Sequence, residues 1–352
     1  MTPLEPASIY DADAIERVRR EARLHPQHVR QLRNAYFKAF RGDDEVLAAF
    51  PAAERISLDP LSLHQRLDST VDGASKLLFR TGSGLLTEAV VLRPTTGRSS
   101  LCVSSQVGCA AACRFCATGS MGVARGLSVA EILGQVVVAG RLLAAEGRRL
   151  RNVVFMGMGE PFHNEEAVTE AVAMLVDPRC FNLSPQKVMV SSVGVVDGML
   201  RFAERFPRVG IALSLHSARQ ASRAQIIPLA GRYPLPELRR AVRALNELQA
   251  RPVMLEYLML AGLTDTDDDL RALLDFTAGL DVHVNVIPYN PIASAPDLVG
   301  SDPATCQRFA ARLKAQGRTT TVRRSLGRDI EAACGQLVKT HTLAERRGQS
   351  GS

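Results

Sequence analysis

From residue 100 onward, short strand-like runs alternate with longer helix-like segments. The runs Leu101–Ser104, Asn152–Met156, Lys187–Ser191, Val209–Leu215, Met254–Leu260, His283–Pro288 and Thr319–Arg323 read as strands. Between them, helices are predicted over Ser128–Glu146, Glu165–Val176, Val196–Arg205, Leu235–Gln249, Asp267–Ala278 and Pro303–Gln316. Ser128 with Glu131 makes a capping box, Pro303 follows Asp302 as a first-turn proline follows its cap, and Gly147 and Gly317 stand where helices end. Repeated β–α order implies an α/β fold with helical crossovers, and six or seven units imply a barrel or partial barrel.

The first 85 residues read differently. Ala14–Leu24 and His28–Phe40 are amphipathic and arginine-rich, Ser69–Gly73 is a turn, and Leu77–Arg80 with Thr87–Leu92 form a hairpin. The division expected is a small N-terminal accessory domain, 1–85, a barrel core, 86–340, and a disordered tail, 341–352.

Composition adds limits. The chain has 352 residues, 46% hydrophobic and 22% charged, with no apolar run of membrane-spanning length. The first residues lack an apolar signal core, so a cytoplasmic location is expected. The net charge is +7, carried largely by arginine clusters such as Arg17/Arg19/Arg20/Arg23 and Arg239/Arg240/Arg243. A polyanionic partner fits this balance; so does arginine on ordinary solvated faces in a GC-rich genome.

An odd count of seven cysteines, three of them clustered, points to metal and redox chemistry rather than to a disulfide framework. Cys109, Cys113 and Cys116 form a CxxxCxxC run. Three local thiolates suit a four-iron cluster with one iron left open for a small molecule. Structural zinc, which prefers four ligands, and plain burial are the alternatives. In a barrel the chemistry lies at the C-terminal ends of the strands. The cysteine loop, Gly157–Pro161, Ser191–Gly194, Ser214–His216 and Asn290 all follow predicted strands, so they converge on one rim. Gly157-Met158-Gly159-Glu160 lets backbone approach a ligand and offers a carboxylate, or is simply a tight turn. Cys102 and Cys334 are either a redox pair or small buried hydrophobes; Cys180 and Cys306, without motifs, are read as the latter.

CxxxCxxC with Phe115 before its last cysteine resembles the radical S-adenosylmethionine (SAM) superfamily. Longer strings are more specific. Leu101–Cys109 (LCVSSQVGC), Phe155–Pro161 (FMGMGEP), Ala212–His216 (ALSLH), Asn285–Pro291 (NVIPYNP) and Ala332–Leu337 (AACGQL) resemble the RlmN/Cfr-type RNA adenine methyltransferases. The likeness runs from about residue 69 to 340. It implies a partial (β/α)6 radical SAM barrel holding a [4Fe-4S] cluster on Cys109, Cys113 and Cys116. It places SAM against Gly159, Glu160, Ser191, Ser214, Leu215, His216 and Asn290. It makes Cys334 the thiol that carries the methyl group, Cys102 the thiol that resolves the RNA adduct through a disulfide, and Glu88 the proton acceptor. The implied target is C2 or C8 of an adenine in RNA, 23S rRNA or tRNA. The implied electron donor is a flavodoxin or ferredoxin, and a monomer is expected. Residues 1–65 match poorly, and Leu326 and Arg328 stand where rRNA enzymes usually carry Arg and Asp. A radical enzyme acting on another substrate and a non-enzymatic, metal-containing RNA-binding protein are the competing readings.

Overall fold

The computed structural model describes residues 6–58 and 61–337; the expected tail, 341–352, lies outside them. The chain opens with β1 (Ala7–Ser8), α1 (Ala12–Glu21), α2 (Pro26–Arg33), α3 (Asp43–Ala48) and β2 (Ile56–Ser57). It continues through β3 (Leu61–Asp68), β4 (Ala74–Thr81), β5 (Leu86–Leu92), β6 (Ser100–Cys102) and a short hairpin, β7 (Gln106–Gly108) with β8 (Val123–Gly126). Thereafter helices and strands alternate: α4 (Val129–Ala145), β9 (Asn152–Phe155), α5 (Glu165–Val176), β10 (Val188–Ser192), α6 (Val196–Arg205) and β11 (Gly210–Ser214). Next come α7 (Gln220–Ile226), α8 (Leu235–Leu248), β12 (Val253–Met259), α9 (Asp267–Phe276), β13 (Val282–Pro288), α10 (Pro303–Ala315) and β14 (Thr319–Val322).

Ten strands form one sheet in the order β14-β13-β12-β11-β10-β9-β6-β5-β4-β3. From β6 to β14 neighbours pair parallel and in chain order. This is the α/β architecture that the alternating pattern predicts. The helix boundaries agree to within a few residues, and the capping box at Ser128 and the Asp302 cap are formed. Sequence reading missed α7, short and polar outside, and β3, whose side chains are largely exposed.

A division at residue 85 is not what the sheet shows. Strands β4 and β5 pair antiparallel from Ala74–Leu92 to Arg80–Leu86, on either side of that point, and β5 continues into the barrel by pairing with β6. The physical reason is burial. Almost every residue of β4 and β5 is covered, which a hairpin of a separate small domain could not achieve. The N-terminal helices share the same core. Tyr10, Tyr36 and Phe37 pack edge-to-face, and the Phe37 ring lies 4.8 Å from Phe181 of the α5–β10 connection. The Tyr36 hydroxyl donates to the Leu58 carbonyl at 2.9 Å, and the Arg141 guanidinium of α4 covers its ring.

Replacing the fully buried Phe37 by alanine should cost about 3–4 kcal/mol and lower the midpoint of a single denaturant transition. Two separated transitions would contradict a shared core.

Candidate active site

The parallel strands deliver their loops to one rim, where they enclose a cleft of about 930 Å³ open to solvent. Cys109, Cys113, Cys116, Gly159, Glu160, Ser191, Ser214, His216 and Cys334 all line it.

The cysteine loop is built on a glycine. Gly108 has φ +82°, and a Cβ there would stand 1.9 Å from the Gly122 carbonyl oxygen, so only glycine lets β7 and β8 close. The loop is then pinned by main-chain bonds at both flanks: Cys109 N to Gly122 O at 2.8 Å, Arg114 N to Ile226 O at 2.9 Å and Ala117 N to Gly335 O at 2.7 Å. The last bond fastens the segment carrying Cys334 directly to the loop carrying the three clustered thiols. Thr118 repeats the tie by donating to Leu337 O at 3.2 Å.

Glu160 is buried and held by the amides of Val193, at 2.9 Å, and Phe162, at 3.1 Å. Burial raises its carboxyl to about 7 against those amides, which oppose the rise. Gly159 beside it has φ +101°. Ser191 and Ser214 face each other at 3.3 Å between their hydroxyls. His216 sits in left-handed backbone, φ +57°, edge-on to Phe115 at 4.6 Å. Burial, then the nearby Arg223 charge, depress its imidazole to about 3, so the ring is neutral. Burial pushes the Cys109 thiol up to about 12 and raises Cys113 and Cys116 as well, so a metal must displace protons to bind there.

Two of the residues expected at the SAM site, Leu215 and Asn290, are not among those that line the cleft. Leu215 directly follows β11, is fully buried and packs in the main hydrophobic core. Asn290 turns to the Cys334 loop, donating to the Cys334 carbonyl at 3.1 Å and accepting from Arg328 at 2.9 Å.

Cys102 and Cys334 share a second, smaller cavity, of about 420 Å³, which Arg323 also lines. Both are free thiols. Burial, then Cys334, push the Cys102 thiol up to about 12. Glu88 lies on β5, buried, with Lys76 Nζ 4.0 Å from its Oε1. It shares a sheet face with Val90, which is paired with Cys102. Lys76 in turn donates to Glu331 O in the Cys334 segment.

Glu256 and Arg323 were not singled out from sequence, yet both line the main cleft. Arg323 lies 3.7 Å from Glu256, and Asn285 donates to the Glu256 carboxylate at 3.0 Å. A lone carboxylate inside the apolar strand Val253–Met259 was the available signal for Glu256. Arg323 directly follows a rim strand, and the rule applied to the other motifs reaches it too.

The Radical SAM superfamily profile matches residues 103–277. A probable RNA methyltransferase of Rhodopirellula baltica is 54% identical over 99% of this chain and 93% of its own length. The dual-specificity RNA methyltransferase RlmN 1 of Myxococcus xanthus is 40% identical over 84% of this chain and 81% of its own. The crystal structure of a radical SAM methyltransferase from Sphaerobacter thermophilus superposes with a TM-score of 0.88 at 36% identity, covering 94% of this chain and 99% of that one. Fold, cysteine run and likeness together define a radical SAM enzyme. Within that class, the chain belongs to the RlmN-type RNA methyltransferase family.

The family's cofactors are a [4Fe-4S] cluster and SAM, and the cleft fits them. Its donor set is three thiols from one loop, which leaves one iron of a cube without a protein ligand. The buried His216 Nδ1 finds no hydrogen-bond partner among the described residues. Such an orphaned group at a cleft is satisfied by a polar ligand.

Glu160 sets a pH dependence in the cofactor-free protein. Its folded value, about 7, exceeds the ordinary 4.5, so its stabilisation is complete below pH 4.5 and lost as pH rises through 7. Relative to Glu160→Gln, the wild type should lose on the order of 2–3 kcal/mol between those limits. Denaturant titrations across that range check it; a pH-independent gap between the two proteins would refute it.

Proposed function

We propose that this protein methylates C2 or C8 of an adenine in RNA, in 23S rRNA or tRNA, through a methylated Cys334. The observation that carries the reading is the position of Cys334, which lines both the cleft of the three clustered thiols and the cavity of Cys102. A carrier must meet the methyl donor on one side and the resolving thiol on the other.

The target carbons are electron-poor and do not attack a methyl sulfonium as nucleophiles. When bound, the cluster and SAM supply the methyl group and the radical chemistry that activates it. The chain's own groups do the rest. Cys109, Cys113 and Cys116 hold the cluster. Glu160, Ser191, Ser214 and His216, with the backbone at Gly159, cradle SAM. The Cys334 sulfur carries the carbon to the adenine ring. Glu88 takes the ring proton from the adduct, and the electron that leaves with it would return to the bound cluster. The Cys102 sulfur then attacks the Cys334 sulfur. A disulfide forms, the sulfur–carbon bond breaks, and the released carbon takes a proton to become methyl.

The adenine must leave its stack to reach the rim, which favours a loop over a duplex. A net charge of +7 suits the phosphate backbone. We place the enzyme in the cytoplasm as a monomer served by a flavodoxin or ferredoxin.

Anaerobic reconstitution should give about four irons per chain; colourless, zinc-loaded protein would sink the reading. Cys334→Ala should abolish RNA methylation, read by mass spectrometry of adenines, while SAM cleavage continues. Cys102→Ala should instead trap RNA covalently on Cys334. Unchanged methylation in the Cys334 variant rules out the two-cysteine route.

A further inference from the structure

Arg223, on α7, is the largest side chain with no exposure to solvent. Its guanidinium donates to three main-chain carbonyls, Leu215 at 3.2 Å, Tyr233 at 3.2 Å and Val193 at 2.6 Å. Among the described residues no carboxylate pairs with it. A buried cation without a counter-ion is costly, and carbonyl dipoles offset only part of that cost.

The wall around Arg223 faces the cysteine loop. The end of α7 accepts the Arg114 amide through Ile226 O at 2.9 Å, and Gln225 O accepts the Arg114 side chain at 3.3 Å. Ile226 and Ile227 pack in one apolar cluster with Cys109 and Cys113. The Arg223 guanidinium donates to Val193 O, and Val193 lines the same cleft as Cys109, Cys113 and Cys116. A four-iron cube on three thiolates is already anionic when oxidised and gains one more negative charge on reduction. A fixed cation in a low-dielectric wall favours the more negative state.

We propose that Arg223 is the buried counter-charge of the cluster and raises its reduction potential. This rests on the cluster being held by Cys109, Cys113 and Cys116. Arg223 tunes the site through the wall and touches neither substrate nor iron. It explains why an arginine is buried where packing alone would take an apolar residue.

The test compares wild type, Arg223→Gln and Arg223→Lys after anaerobic reconstitution, with iron counts and redox titration followed by electron paramagnetic resonance. Gln keeps a donor for the carbonyls and loses the charge; Lys keeps the charge and loses the fork. At a fixed solution potential, R223Q should show an about tenfold lower ratio of reduced to oxidised cluster, a midpoint about 59 mV more negative. R223K should stay within about threefold of wild type. Both variants should melt earlier, so stability does not sort with potential. A fully loaded R223Q at the wild-type midpoint overturns the proposal, as does an R223K shifted as far as R223Q. If R223Q retains no iron, R223K decides: the wild-type midpoint with a lowered melting temperature supports the charge, and a shifted midpoint overturns it. Wild-type protein that takes up no iron overturns the cluster reading itself.

Discussion

Pairing in chain order is the constraint on which the rest of this molecule depends. Strands β6 and β9 to β14 lie side by side, each parallel to the last. A parallel neighbour is reached only by a crossover, and every crossover leaves from the same end of the sheet. The cysteine loop, Glu160, Ser191, Ser214 and Arg323 are scattered over more than two hundred residues of chain. They meet because each follows a strand whose direction is already set. The antiparallel strands β5, β4 and β3 extend the sheet beyond β6. They bring Glu88 and Lys76 to the side of Cys102, which the parallel strands alone could not do.

The second constraint is the fastening of the C-terminal segment. Ala117 N to Gly335 O and Thr118 to Leu337 O fix it to the cysteine loop. Asp329 accepts from Ser69 and Thr70, and Asp72 accepts from Gly327 N. The segment is thus held from the barrel rim on one side and from the turn before β4 on the other. In the proposed carrier role, a thiol on a free loop would lose, in ordering entropy, much of what proximity contributes. Tied at both sides, Cys334 keeps one position between two cavities.

Much of this was legible in the sequence, for identifiable reasons. The strands between Asn152 and Pro288 are mostly buried on both faces, so their runs are rich in apolar residues and their boundaries sharp. The rim residues were found because glycines and polar groups directly follow such runs. The shared core of the N-terminal helices was not legible, because Phe37 and Phe181 carry no local signal of their contact. Strand β3 escaped because its exposed side chains leave no clear alternation. Arg223 and Arg323 escaped for a different reason. Sequence shows arginine as surface charge, and only the fold shows Arg223 fully buried and Arg323 half-buried between two cavities. Leu215 shows the converse limit: a motif string places five residues at the rim, but only the fold shows that Ser214 and His216 line the cleft while Leu215 packs in the core.

Arg323 joins these constraints in the partition between the two cavities. Its guanidinium feels Cys334 first, then Glu256, then Cys102. Asn285 steadies the Glu256 carboxylate, and Thr321 donates to the Asn285 side chain at 3.1 Å. Burial raises the Glu256 carboxyl, and the Arg323 charge, then Asn285, oppose that rise. Burial also raises the Cys102 thiol, and Arg323 opposes that rise too. One guanidinium thus serves a carboxyl and a thiol across the partition, and in the proposed reaction it would be the cation at hand when the Cys102 sulfur attacks.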